Sequence, residues 1–153
     1  MFEIKFGKVL LMNNSVLKLR IEHFWTYFSR LKELQKKPEK EFLENFLISD
    51  SVERNFQLVI EALTDLGNHI IKRENLGTVE SRSTIFQILC QNRILPLELE
   101  EKLVRMVKFR NLLVQQYTIT NKRIVYKILQ ENLKTIATVA ETLINKIEAL
   151  NNN

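Results

Sequence analysis

Apolar residues recur in this sequence at alternating steps of four and three, over several long stretches. Only an α-helix gathers such positions onto one side, because about 3.6 residues complete each turn. The first stretch, from Ser15 to Lys36, carries Leu17, Ile21, Phe24, Phe28 and Leu31. A second opens in "SDSVERNF", ends near residue 75, and carries Val52, Phe56, Val59, Leu63, Leu66 and Ile70. The last runs from a cap at Thr120 or Asn121 through about Leu150, with Val125, Leu129, Leu133, Ile136, Ala140, Leu143 and Ile147 on its seam. Shorter pieces lie between. Residues 39–48 form an amphipathic turn or helix. Ser81 caps a helix through about Asn92, with Ile85, Phe86, Ile88 and Leu89 facing inward. "LPLELEE" begins a further helix that continues to about Gln116, with Pro96 near its first turn and acidic residues at its positive end.

Breaks are few. The chain has only 3 Gly and 2 Pro, too few turn residues for an all-β fold built on many short hairpins. Pro38 stops the first helix. Ser49, Asp50 or Ser51 supplies a side-chain cap for the second, Glu53 favours its positive end, and Gly77 lies just past its C-terminus. The expected fold is all-α: an antiparallel bundle of four long helices plus shorter ones, packed at shallow angles. With no linker or repeat in sight, residues 13–150 read as one domain. Residues 1–12 read as a poorly packed extension that ends at a second methionine, Met12. Lys5 and Lys8 interrupt the apolar residues of that extension, which therefore reads neither as a signal peptide nor as a membrane span.

Composition narrows the function classes. The net charge of +5, from 23 Lys plus Arg against 18 Asp plus Glu, leans mildly toward anionic partners such as nucleic acid. The single Cys90 excludes an internal disulfide and suits a reducing cytoplasm. Beside Ile88 and Leu89 it reads as a small core residue rather than a nucleophile. His23 and His69 lie on different helices without a third ligand at standard spacing, so neither a metal nor a cofactor is expected. Asp65, Asn68 and His69 form a polar patch that reads as a solvated helix face. The sequence contains no glycine-rich phosphate loop and no serine-hydrolase or zinc-protease pattern.

One stretch departs from the apolar pattern. Leu99, Leu103 and Met106 set a four–three register whose next positions are Arg110, Leu113 and Tyr117, within "FRNLLVQQY". A guanidinium at a core-type position is expensive to bury without partners. Two readings follow: Arg110 sends its head out to water with Tyr117 covering the helix end, or Arg110 faces a polar cleft.

"RNLLVQQY" resembles the motif of the HEPN superfamily in its HepT-like branch: Arg, four residues, His, one residue, Tyr. "SVERNFQLVIEALTDLGNHII", "LGTVESRSTIFQIL" and "VYKILQENL" resemble further segments of that family in the same order, so the resemblance spans roughly residues 13–148. It implies an all-α homodimer with the motif in a cleft near the dimer interface. It also implies the toxin of a two-gene toxin–antitoxin system, a metal-independent ribonuclease whose partner is a minimal nucleotidyltransferase. Carried onto this chain, Arg110 holds the scissile phosphate and Asn111 orients its neighbours. Tyr117 hydrogen-bonds a phosphate, or is the tyrosine that the partner modifies with AMP.

The departure from the family pattern is Gln115, which stands where the family has His. An imidazole exchanges a proton near neutral pH, whereas an amide only donates and accepts hydrogen bonds. Losing a general acid or base typically costs about 10²–10⁴-fold in rate. Two functions therefore stand side by side: a ribonuclease toxin that works with Gln115, or a catalytically inactive HEPN homodimer that still binds the nucleotidyltransferase, RNA or both.

Overall fold

The computed structural model describes residues 14–115 and 121–153. The expected extension at residues 1–12, and Tyr117, lie outside them. The helices are α1 (Ser15–Gln35), α2 (Glu39–Glu44), α3 (Phe46–Glu74), α4 (Arg82–Gln91), α5 (Glu100–Val114) and α6 (Lys122–Asn151), with a 3₁₀ turn at Leu97–Leu99 leading into α5. Among the described residues there is no strand.

The apolar stripes become the core as their spacing requires. Every seam residue expected on α1, α3 and α6 is buried. On α4, Ile85, Phe86 and Leu89 are buried, but Ile88 is only half-buried and Cys90 takes the inner position. There burial pushes the thiol up to about 11, with Glu100 and Glu98 adding to the shift, so it stays protonated and inert at neutral pH.

Caps place the boundaries, and two differ from expectation. The first turn of α1 is held by Asn14, whose Oδ1 accepts the N–H groups of Val16 and Leu17, each at 3.1 Å. α3 begins earlier than the Ser49–Ser51 cap would allow. Asn45 caps it through the Leu47 N–H at 3.0 Å, so Ser49 lies inside the helix, buried, its hydroxyl donating back to the Phe46 carbonyl at 3.3 Å. Phe46 and Leu47 are exposed, which is why the apolar pattern did not mark this turn. At the far end Asn75, not Gly77, terminates α3. Asn75 adopts the left-handed conformation at φ 54°, ψ 51°, and the Leu76 N–H closes the turn onto the Ile71 carbonyl at 3.0 Å. An Asn side chain tolerates that region, so glycine was not needed.

α3 is the hub and packs against each of the other five helices. The end of α1 meets the start of α6: Gln35 Nε2 donates to the Leu129 carbonyl at 3.0 Å, and Tyr126 Oη donates to the Lys37 carbonyl at 3.1 Å. The end of α3 meets the end of α6 through Lys146–Glu74 at 2.8 Å and Arg73 donating to the Leu150 carbonyl at 3.1 Å. Consecutive long helices thus alternate in direction, and α3 and α6 lie parallel across the bundle. α5 and α6 do not pack backbone to backbone. A cleft of about 350 Å³ separates them, and Lys102 bridges it by donating to Thr135 Oγ1 at 3.0 Å.

α4 seats against α3 over Gly67, which is buried. A Cβ there would stand 2.8 Å from Ile85 Cγ2 and 2.8 Å from Leu89 Cδ1. Gly67→Val therefore forces α4 away from the hub, and the expected loss is about 1–3 kcal/mol of overpacking strain, read as a lower urea midpoint. An unchanged midpoint would show that α4 shifts at no cost. Among the described residues no helix is long and apolar enough to cross a membrane.

Candidate functional site

α5 does not follow the register expected from its sequence. Its buried residues are Leu103, Met106, Val107 and Phe109, while Leu113 is half-buried. Phe109 rather than Arg110 enters the core, where it meets Phe56 of α3 edge to face at 5.5 Å between ring centres. Arg110 is the next residue round the helix and lies along the border of the core. Its side chain is 13% exposed, so it does not extend into open water.

Its partner is Glu61 of α3. Arg110 donates through Nε to Glu61 Oε1 at 3.0 Å and through Nη2 to the same oxygen. Arg110 Nη1 donates to Asn111 Oδ1 at 3.2 Å. On the other side Gln57, one turn before Glu61, donates Nε2 to Oε1 at 3.0 Å. A connected row of Gln57, Glu61, Arg110 and Asn111 results, charged at its centre. Among the described residues three of the five guanidinium N–H groups are engaged, leaving one on each of Nη1 and Nη2. Those two lie on adjacent nitrogens, the forked geometry that matches two oxygens of a phosphate.

The electrostatics follow. Burial pushes the Glu61 carboxyl up, but hydrogen bonds from Arg110 and Gln57 and the charges of Arg110 and Arg82 outweigh it and hold the group below its usual value. A carboxyl with a depressed folded-state value stabilises the fold fully above the ordinary carboxylate range. That contribution is lost as the pH falls through the folded value. Glu61→Gln is therefore expected to be less stable than wild type at neutral pH, with the gap closing on acidification. Urea midpoints measured from neutral to acid pH check this, and a constant gap would assign the ion pair no role in acid stability.

The remaining sequence candidates separate in space. Gln115 caps the C-terminus of α5, exposed, with its backbone N–H on the Leu112 carbonyl at 3.2 Å. Asn111 is exposed and joins Arg110 directly, whereas Tyr117 lies outside the described residues. His23 is exposed on α1. The polar patch on α3 is not wholly a solvated face. Asp65 is exposed, but Asn68 and His69 are half-buried, and Asn68 Oδ1 and His69 Nε2 are shut from solvent with no hydrogen-bond partner among the described residues. Burial, then the charges of Arg73 and Arg20, depress the His69 imidazole. Among the described residues no three metal-ligating side chains gather.

Glu61 was not singled out by reading the sequence, and neither was Arg82. The only local signal for Glu61 was its spacing of four from Gln57 on the flank of an apolar stripe, a pattern common on solvated helices. Its contact with Arg110 spans 49 positions of sequence.

Comparison with known proteins bears on this arrangement. The pattern that defines the ribonuclease HepT-like family matches residues 25–143. The mRNA nuclease HepT of Shewanella oneidensis is 35% identical over 94 residues, which make up 61% of this chain and 71% of that protein. Among solved structures, the tri-AMPylated HEPN toxin of Shewanella oneidensis, in complex with its MNT antitoxin, superposes with a TM-score of 0.78 at 27% identity. That match covers 86% of this chain and 98% of the toxin. A Bacillus subtilis cytosolic protein of unknown function, YutE, shares the fold with a TM-score of 0.72 at 19% identity, over 86% of this chain and 91% of its own.

Proposed function

This chain belongs to the ribonuclease HepT-like family, and from that premise we propose that it is the toxin of a two-component toxin–antitoxin system. In this reading it is a metal-independent endoribonuclease that works as a homodimer, with a minimal nucleotidyltransferase as its antitoxin. The observation that carries the reading is the placement of Arg110. It is a permanently charged fork, held by Glu61 and Asn111, and among the described residues one N–H is left on each terminal nitrogen.

Such a group fits the requirements of phosphodiester cleavage. Arg110 receives two oxygens of the scissile phosphate and stabilises the extra negative charge of the pentavalent transition state. Asn111 fixes the fork's direction by accepting from Nη1, so less side-chain freedom is lost on binding. Gln115, beyond the last turn of the same helix, supplies a neutral donor and acceptor to the ribose or phosphate. Tyr117 hydrogen-bonds the phosphate, or carries AMP once the antitoxin has acted. The exposed Leu112 and Val114, on the motif's own helix, supply apolar surface for the dimer interface.

A second reading is favoured by one specific observation, the amide at position 115. In it the chain keeps the dimer and the nucleotidyltransferase partner but does not cut RNA. RNA cleavage by the isolated, unmodified protein decides between the two. Cleavage supports the toxin enzyme. If cleavage is absent but the protein co-purifies with a co-expressed minimal nucleotidyltransferase, the chain is an inactive partner protein. If both are absent, both readings fail.

A further inference from the structure

Without a histidine at position 115, the ribonuclease reading has no proton acceptor in its motif. Against Arg110 stands a carboxylate that the motif does not include. Glu61 lies on a different helix from the motif, yet its carboxyl is in direct contact with the guanidinium that would receive the phosphate, with Arg110 Nε 3.0 Å from Oε1. The donors from Arg110 and Gln57 converge on Oε1, and among the described residues Oε2 takes none. The side chain is 26% exposed, so Oε2 is within reach of a ligand. The charged and polar groups that face it are Arg110 from α5, Arg82 from the start of α4 and Gln57 from its own helix, and none of these accepts a proton at neutral pH.

We propose that Glu61 is the general base of RNA cleavage in this protein, replacing from α3 the proton acceptor that its motif lacks. The inference rests on the ribonuclease reading above. A phosphate bonded to Nη1 and Nη2 of Arg110 brings the adjacent ribose 2′-hydroxyl within a few ångströms of the Glu61 carboxyl, the range a near-attack geometry needs. The 2′-oxygen then attacks phosphorus. A 2′-O–P bond forms, the P–O5′ bond breaks, the 2′-hydroxyl proton passes to Glu61 Oε2, and the leaving 5′-oxygen takes a proton from water. Substrate binding itself strengthens the base. The phosphate competes for the guanidinium that neutralised Glu61, and a second anion at close range raises the carboxylate's affinity for a proton.

The test is single-turnover cleavage of a defined RNA by wild type, Glu61→Gln, Gln115→His and the Glu61→Gln/Gln115→His double variant, each across pH. The amide in Glu61→Gln still accepts a hydrogen bond from Arg110 but cannot take a proton. A base is therefore expected to show a loss of about 10²–10⁴-fold, whereas a residue that only positions Arg110 would lose far less. The double variant is expected to recover cleavage with a limb near neutral pH, because the imidazole takes over the proton. Wild type is expected to lose activity only in the carboxylate range.

Glu61→Gln within about tenfold of wild type would overturn the assignment and leave Glu61 as a positioning residue. A silent wild type beside an active Gln115→His would overturn it too, while leaving the ribonuclease reading intact. Silence in all four overturns the ribonuclease reading and this inference with it. If Glu61→Gln does not fold, the wild-type profile decides alone: an acid limb in the carboxylate range supports the base, and a limb near neutral pH or none refutes it.

Discussion

Arg110→Ala is expected to lower RNA cleavage by about 10²–10³-fold, the usual effect of removing one charge-stabilising donor from a transition state. The substitution also leaves the half-buried Glu61 carboxylate without its cation, so some stability is lost as well. Thermal melting separates the two effects, because a folded variant that does not cut isolates the catalytic one. Arg110→Lys is the informative companion. It keeps a positive charge beside Glu61 but loses the planar fork, so it should fold nearly as well as wild type and cut far less. If Arg110→Ala folds and cuts within tenfold of wild type, Arg110 is only the structural counter-ion of Glu61, and the Arg110–Glu61 site is not where cleavage occurs.

Gln115→His is expected to raise cleavage by about 10²–10⁴-fold, the range typical of adding a positioned acid or base. Gln115 is exposed at the end of α5, so an imidazole fits without displacing the core and stability should hardly change. The pH profile says which proton it moves. A limb near neutral pH that wild type lacks would mark the histidine as active, in addition to whatever Glu61 supplies. A gain of this size shows that the wild-type site is assembled but slow. If Gln115→His is no faster than wild type, position 115 does not point at the reacting atoms, and the departure from the family motif carries no catalytic cost.

The Arg110 experiment probes a contact that links two helices, and the sequence was informative about each helix separately. The four–three spacing identified the inner faces of α1, α3 and α6 without error, because burial on a helix follows its period. Capping was read less well. Ser49 and Asn45 both suit an N-cap chemically, and exposed Phe46 and Leu47 hid the true first turn of α3. Gly77 is the residue type expected after a helix, but Asn75 reached the left-handed position first. In each case two local signals competed within a few residues of each other.

On α5 the difference bears on function. Continuing the register from Leu103 and Met106 put Arg110 in the core, a costly position that called for explanation. In the fold Phe109 fills that place against Phe56, and Arg110 lies at the margin facing Glu61. A one-residue rotation turns a helix by about 100°, enough to move a side chain from the core to its edge. Three apolar positions were too few to settle that rotation, since Val107 and Phe109 offered an equally apolar face.

The sequence by itself determined the helical class, the buried seams and the order of motif segments, because these depend on periodicities and residue types within one element. Only the tertiary structure decided which acidic residue meets Arg110. Glu61 stands 49 positions away on the hub helix, and no local pattern distinguishes it from the other carboxylates of α3. The pairing arises because α3 and α5 pack Phe56 against Phe109, which leaves a half-buried guanidinium that must find a charge within reach, and Glu61 is the carboxylate that this packing brings there.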